Sequence, residues 1–326
     1  MQRIDIHTHV LSTRFVDHLE GRSDVPRTES LPSKRVIRCA PGLAVPVIEE
    51  MTDVDTKLAF MDRNGIAISV LSHAVPGPQV LGPGEAEQWA EHVNNELFEI
   101  TQIAPDRLKA WGVLGWHDSE HAKAEMLRCV NQLGFCGIQL FSNIRGRPLD
   151  SPEFEPILTF AAENGIVMNM HPTVPLNRSY MDNFMLLTSL GFVMDTSLNT
   201  LRLIETGFFD RHPDFNLIVP HLGGVLPFLH GRVGGHSGTG HIQGEETGLQ
   251  FPIGHYIKRL YVDSVTNDTA SLRSALELYG PERVLFGSDH PFGNYEGVTS
   301  ILEEYGLAKE TEEAVSFNNA RRLLSL

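Results

Sequence analysis

The chain has 326 residues, 41% of them apolar, enough for two average domains or for one α/β barrel with a large core. Its 41 acidic and 26 basic side chains give a net charge of -15, which argues against nucleic acid and anionic membrane surfaces as partners. Cys39, Cys129 and Cys136 follow neither a disulfide framework nor a zinc-ribbon spacing, no charged leader with an apolar segment stands before the first strand, and no apolar run is of bilayer length; a soluble protein of the reducing cytoplasm is expected.

A strand-like segment, residues 3–10, opens the sequence as Arg-Ile-Asp-Ile-His-Thr-His-Val. Unbroken alternation turns Ile4, Ile6 and Val10 one way and Asp5, His7 and His9 the other. Residues 21–52 hold Pro26, Pro32, Pro41 and Pro46 among charged and small residues and read as an insertion at the mouth of the fold. A strand follows at 66–71, then a helix at 85–104 with Trp89, Val93, Leu97 and Ile100 on one face. Further strands are expected at 108–114, 136–141, 166–171, 216–221, 259–263 and 283–288. The helices between and after them lie at 119–133, 152–164, 268–279 and 310–324, the second opened by Ser151-Pro152 and closed by Asn164-Gly165. Residues 234–250 are rich in glycine and nearly free of apolar groups, which suggests a mobile loop and not a phosphate cradle. Eight strand and helix units in this order predict one (β/α)8 TIM-type barrel over residues 1–326, with 21–52 as its insertion after strand 1.

Such barrels carry their chemistry where strands end at the C-terminal face. The fifth strand runs into His171-Pro172, the sixth into His221-Leu-Gly-Gly224, and the eighth into Asp289-His290-Pro291. Together with His7 and His9, these place four imidazoles and a carboxylate at strand ends, where each would need a partner out of water. His73 and His117 follow the second and third strands and are expected as polar loop residues. For Asp5 a structural hydrogen bond is expected.

At these residues the chain resembles the amidohydrolase superfamily, and within it the amidohydrolase-related branch that contains aminocarboxymuconate-semialdehyde decarboxylase. The resemblance is carried by Ile4-Asp-Ile-His-Thr-His9, Met170-His-Pro172, His221-Leu-Gly-Gly224 leading to Gly231-Arg-Val233, Tyr261-Val-Asp-Ser264, and Val284 to Phe292. It implies that His7, His9, His171 and Asp289 hold one divalent metal, with His221 beside it as general acid and base. Imidazoles and one carboxylate suit zinc, the expected ion, while iron, cobalt and manganese also accept such ligands. The fourth strand ends in Phe141-Ser-Asn143 and offers no lysine or glutamate to bridge a second ion. Arg232 matches an arginine that in the decarboxylase relatives reaches into a neighbouring subunit to hold the substrate carboxylate, which implies a homodimer.

The resemblance points to a decarboxylase that needs the metal but no organic cofactor and acts on a small unsaturated or aromatic carboxylic acid, with His221 and Asp289 managing the proton. Hydrolysis of a small amide, ester or lactone uses the same constellation and is the alternative; a barrel that binds a metal or small molecule without catalysis is the second. The substrate-binding arginine that relatives carry in the insertion has no clear counterpart, although Arg35 and Arg38 lie nearby. Thr173 stands where several decarboxylating relatives have tryptophan.

Overall fold

A computed structural model describes residues 2–236, 248–293, 299 and 302–326. Strands are β1 (Arg3–Val10), β2 (Arg27–Leu31), β3 (Lys34–Ala40), β4 (Leu43–Val47), β5 (Ile66–His73), β6 (Leu108–Gly112), β7 (Gly137–Phe141), β8 (Asn143–Ile144), β9 (Arg147–Pro148), β10 (Met168–His171), β11 (Leu217–Val219), β12 (Tyr261–Asp263) and β13 (Val284–Leu285). Eight of them form one sheet in the order β1-β5-β6-β7-β10-β11-β12-β13, every pairing parallel. The ends meet through a parallel bridge between Thr8 and His290 and through hydrogen bonds from Ile6 N to Phe286 O and from Asp289 N to His7 O. That closure makes the expected (β/α)8 barrel.

Its helices start where the sequence supplies caps. Asp118 accepts from the amides of Glu120 and His121 at the head of Ser119–Asn131, and Asp268 accepts from Ser271 N at the head of Thr269–Tyr279. Ile4, Ile6, Val70, Trp111, Ile218 and Leu285 fill the lower barrel and meet Ala320 and Leu324 of the C-terminal helix Asn319–Leu324. A second, larger cluster packs the remaining buried apolar residues, including those of the helices. None of the described helices is long and apolar enough to cross a membrane.

One expectation changes. Strand β1 does not alternate without interruption: its register against β5 shifts between Asp5 and Thr8. The amides of Ile6 and His9, three residues apart, both donate toward the eighth barrel strand, at 3.0 and 2.8 Å, whereas a regular strand repeats every two. This bulge lets Ile4 and Ile6 pack in the barrel below His7 and His9, while Asp5 turns to the β13 side. There it accepts from Ser288 N (3.0 Å), Ser288 Oγ (2.6 Å) and His7 N (3.2 Å).

The proline-rich stretch 21–52 contains a regular antiparallel sheet, β2-β3-β4, and Pro46 sits in its edge strand β4, where a missing amide is tolerated. A short helix, Thr13–His18, precedes it, and Val54–Arg63 follows. Of the glycine-rich stretch at 234–250, residues 237–247, including His241, lie outside the described residues.

Candidate metal centre

Three barrel strands and one turn bring the ionisable residues together. His7 and His9 come from the upper end of β1, His171 ends β10, and Asp289 follows β13. One ligand atom from each lies within 4.8 Å of the others. Asp289 Oδ1 is 2.9 Å from His9 Nε2 and 3.3 Å from His7 Nε2, and the rings of His9 and His171 meet edge to face at 4.7 Å.

The far sides of two rings are spoken for. His7 Nδ1 donates to Asp263 Oδ2 at 2.6 Å, and His171 Nδ1 donates to its neighbour's carbonyl, Pro172 O, at 2.7 Å. Both rings therefore turn Nε2 inward, the arrangement found when outer partners orient metal-binding imidazoles. His7 Nε2 is buried without a hydrogen-bond partner, which is costly unless a cation takes its lone pair. Burial pushes His9 down to about 4 and His171 well below the usual imidazole range, so both are neutral, the form that ligates. Burial acts on His7 in the same direction, but Asp289 and Asp263 outweigh it and raise its affinity for positive charge. Burial opposes ionisation of Asp289, yet the neighbouring imidazoles of His7, His221 and His9 hold its carboxyl well below the usual range. Three imidazoles and one ionised carboxylate thus fit a divalent cation.

His221 stands beside this group on a strained turn. His221, Leu222 and Asp289 all have left-handed backbones, with φ of 54°, 56° and 55°. Gly223 and Gly224 continue the turn at positive φ, and a side chain on Gly224 would run into Ser197 Oγ and Val193 O. His221 Nε2 lies 3.8 Å from Asp289 Oδ2.

Above the cluster opens a cavity of about 800 Å³ with mainly apolar walls, among them Leu43, Val45 and Pro46 of β4, and Val75, Met185 and Phe192. His171, His221 and Asp289 border it. Among the described residues, no arginine or lysine lines it. The arginines of residues 21–52 are bound elsewhere: Arg22 to Glu85, Arg27 and Arg38 to Glu29, and Arg35 to Asp17 and Glu20. Arg232 is exposed on the helix Leu226–His236, outside the cavity lining.

The remaining histidines separate by environment. His73 is buried against Phe15, which pushes it down to about 4, and His117 contacts Leu81 O and Arg145. His290 stacks on Phe60 and accepts from Lys57 Nζ at 2.9 Å. Lys57 is a residue that sequence reasoning missed. Its buried ammonium also donates to Thr8 Oγ1 (3.1 Å) and to the His9 carbonyl (3.0 Å), bracing the strand that carries His7 and His9 from behind. The available signal was a lysine in step with Phe60 and Met61, the buried face of Val54–Arg63.

Comparison with known proteins agrees with this geometry. A family model described as amidohydrolase matches residues 4–326. The 2-amino-3-carboxymuconate-6-semialdehyde decarboxylase of Dictyostelium discoideum is 28% identical over 338 residues, covering 99% of this chain and 92% of its own. The gamma-resorcylate decarboxylase of Rhizobium radiobacter is 30% identical over 293 residues, covering 83% and 87%. Among solved structures, the apo form of Metarhizium anisopliae IDCase superposes with a TM-score of 0.89 at 26% identity, over 99% of this chain and 97% of that one. With a barrel closed around a histidine and aspartate cluster and a family match that runs from the first strand to the last residue, the chain belongs to the amidohydrolase family.

Proposed function

We propose that this protein is a metal-dependent decarboxylase of a small aromatic or unsaturated carboxylic acid, and that His7, His9, His171 and Asp289 hold one divalent ion, zinc first among the candidates. The observation that carries the proposal is the convergence of these four ligands, within 4.8 Å, at the floor of a largely apolar cavity whose wall carries His221. The relatives named above are decarboxylases, which supports loss of carbon dioxide over hydrolysis as the reaction.

When bound at His7, His9, His171 and Asp289, the ion would supply positive charge that stabilises negative charge on the oxygens of an acidic substrate. His221 delivers a proton to the carbon bearing the carboxylate. The bond between that carbon and the carboxylate breaks, its electron pair returns to the unsaturated system, and carbon dioxide leaves while the carbon keeps the proton. Asp289, 3.8 Å from His221 Nε2, orients the imidazole for delivery. The apolar walls contributed by β4 and by Met185 and Phe192 keep water from the reacting carbon.

We further infer a homodimer in a reducing, cytoplasmic setting. Leu190, Met194 and Leu198, spaced by four along one helical stretch, are 43%, 44% and 43% exposed, and Phe228 is 89% exposed on the next long helix. The two segments adjoin through a hydrogen bond from Val225 N to Ser197 Oγ at 2.9 Å. An apolar face of this kind suits a second copy of the chain. Arg232 lies four residues after Phe228, on the same face, and suits capture of a carboxylate in a neighbouring subunit. Cys39, Cys129 and Cys136 are free thiols, as a reducing compartment keeps them.

The test is a panel of hydroxy- and amino-substituted aromatic and unsaturated acids beside lactones and amides, given to the metal-loaded protein and scored for carbon dioxide against hydrolysis. Carbon dioxide from one or more acids is expected. Turnover of a lactone or amide with no carbon dioxide from any acid overturns the proposal.

A further inference from the structure

Asp263 ends β12 on the wall next to β13, fully buried, and both of its oxygens are in use. Oδ2 takes the Nδ1 proton of His7 at 2.6 Å. Oδ1 takes the amide of Leu222 at 3.3 Å and that of Val265 at 3.1 Å. Leu222 directly follows His221 and shares its left-handed backbone, so its amide belongs to the turn that presents His221 to the cavity. One carboxylate therefore touches a proposed metal ligand with one oxygen and the turn of the proposed acid and base with the other.

We propose that Asp263 is a positioning residue that sets the site in two ways at once. It keeps the His7 proton on Nδ1, leaving Nε2 free to ligate, and it ties the His221 turn to the same strand end. The inference rests on the metal-site reading above, and the two fail differently: if the protein binds no divalent ion, that reading falls, whereas normal binding after loss of the carboxylate removes only the role of Asp263.

Asparagine and alanine at this position separate the two contacts. In Asp263→Asn the amide oxygen still serves Leu222 and Val265, but the amide nitrogen faces His7 Nδ1 and donates to it. The ring proton then moves to Nε2, where it competes with the metal. In Asp263→Ala the turn also loses its acceptor.

The experiment is competition with a coloured chelator for zinc and for cobalt, on wild type and both variants, with circular dichroism and thermal unfolding as fold controls. Asp263→Asn is expected to fold, to weaken metal affinity by about 10- to 100-fold, and to change the absorption spectrum of bound cobalt. At saturating metal, its carbon dioxide release recovers to near the wild-type rate, while Asp263→Ala stays about tenfold or more below it. Metal affinity within twofold of wild type in Asp263→Asn overturns the first half, and equal recovery of both variants overturns the second. If the variants fail to fold, nitrogen NMR of the histidine rings in the zinc-loaded wild type decides. A His7 with its proton on Nδ1 and metal on Nε2 is expected, and coordination through Nδ1 overturns the proposal.

Discussion

Replacing His221 by asparagine removes the proposed proton donor while leaving its unusual backbone intact. The residue sits at φ 54° and ψ 54°, and asparagine is among the few residues that enter this left-handed region readily. Alanine lacks the polar side chain that eases this conformation, so it would confound lost chemistry with a loosened turn. His221 is not among the four proposed ligands, and its ring nitrogen is 3.8 Å from Asp289 Oδ2, beyond hydrogen-bond distance. His221→Asn should therefore keep one metal ion per chain and a melting temperature close to wild type. Removing a positioned general acid costs about 10²- to 10⁴-fold in rate, or about 3–5 kcal/mol in activation free energy. The assay is the initial rate of carbon dioxide release at saturating substrate, with metal content measured on the same sample. A rate within tenfold of wild type, or loss of the metal together with activity, refutes the role assigned to His221.

Asp5 makes a pH prediction. Burial raises its carboxyl from 3.8 to about 6, against hydrogen bonds from Ser288 and His7 and the charge of Lys57. The folded chain thus holds this proton more tightly than the unfolded one, so stability falls as pH rises from about 4 through 6, by about 3 kcal/mol. The unfolding free energy of wild type minus that of Asp5→Asn, from denaturant melts, should drop by this amount across the window, and a flat difference contradicts it. Burial pushes the Cys39 and Cys136 thiols up to about 12 and Cys129 well above its usual range, so none should react with iodoacetamide at pH 8 until the chain is unfolded. Rapid labelling of the native protein would count against that. Met194→Glu and Leu198→Glu each place a charge on the exposed apolar stripe and should halve the mass found by light scattering; an unchanged mass removes this face as the dimer contact.

The grouping of the candidate site was readable from sequence because a parallel barrel imposes a rule on polar residues: apolar strands run upward and ionisable groups stand where they end. His171, His221 and Asp289 each follow such a run, and the structure brings all three beside His7 and His9. What escaped were features that a periodic pattern cannot carry. A bulge within β1 shifts the alternation by one and sends Asp5 to Ser288, yet Ile-Asp-Ile-His reads as an unbroken strand. The sheet within residues 21–52 had no periodic signature in a stretch with four prolines: Pro46 occupies an edge strand, and the arginines around it pair with Glu29, Asp17 and Glu20. No arginine of residues 21–52 is among the described cavity-lining residues. Lys57 was hidden for a different reason: its partners, the His9 carbonyl and His290, are distant in sequence, so only the folded barrel joins them.

Metal titration tests the central claim most directly. Chelator-stripped protein is given an aromatic hydroxy acid labelled with carbon-13 in its carboxyl group, a divalent metal is added in fractions of an equivalent, and released labelled carbon dioxide is measured. Release should be absent without metal, rise in proportion to added metal, and level off at one ion per chain, with no such rise in a His7→Ala, His9→Ala double variant. Carbon dioxide release that is independent of metal, or a plateau reached only at two ions per chain, would contradict a single metal held by His7, His9, His171 and Asp289.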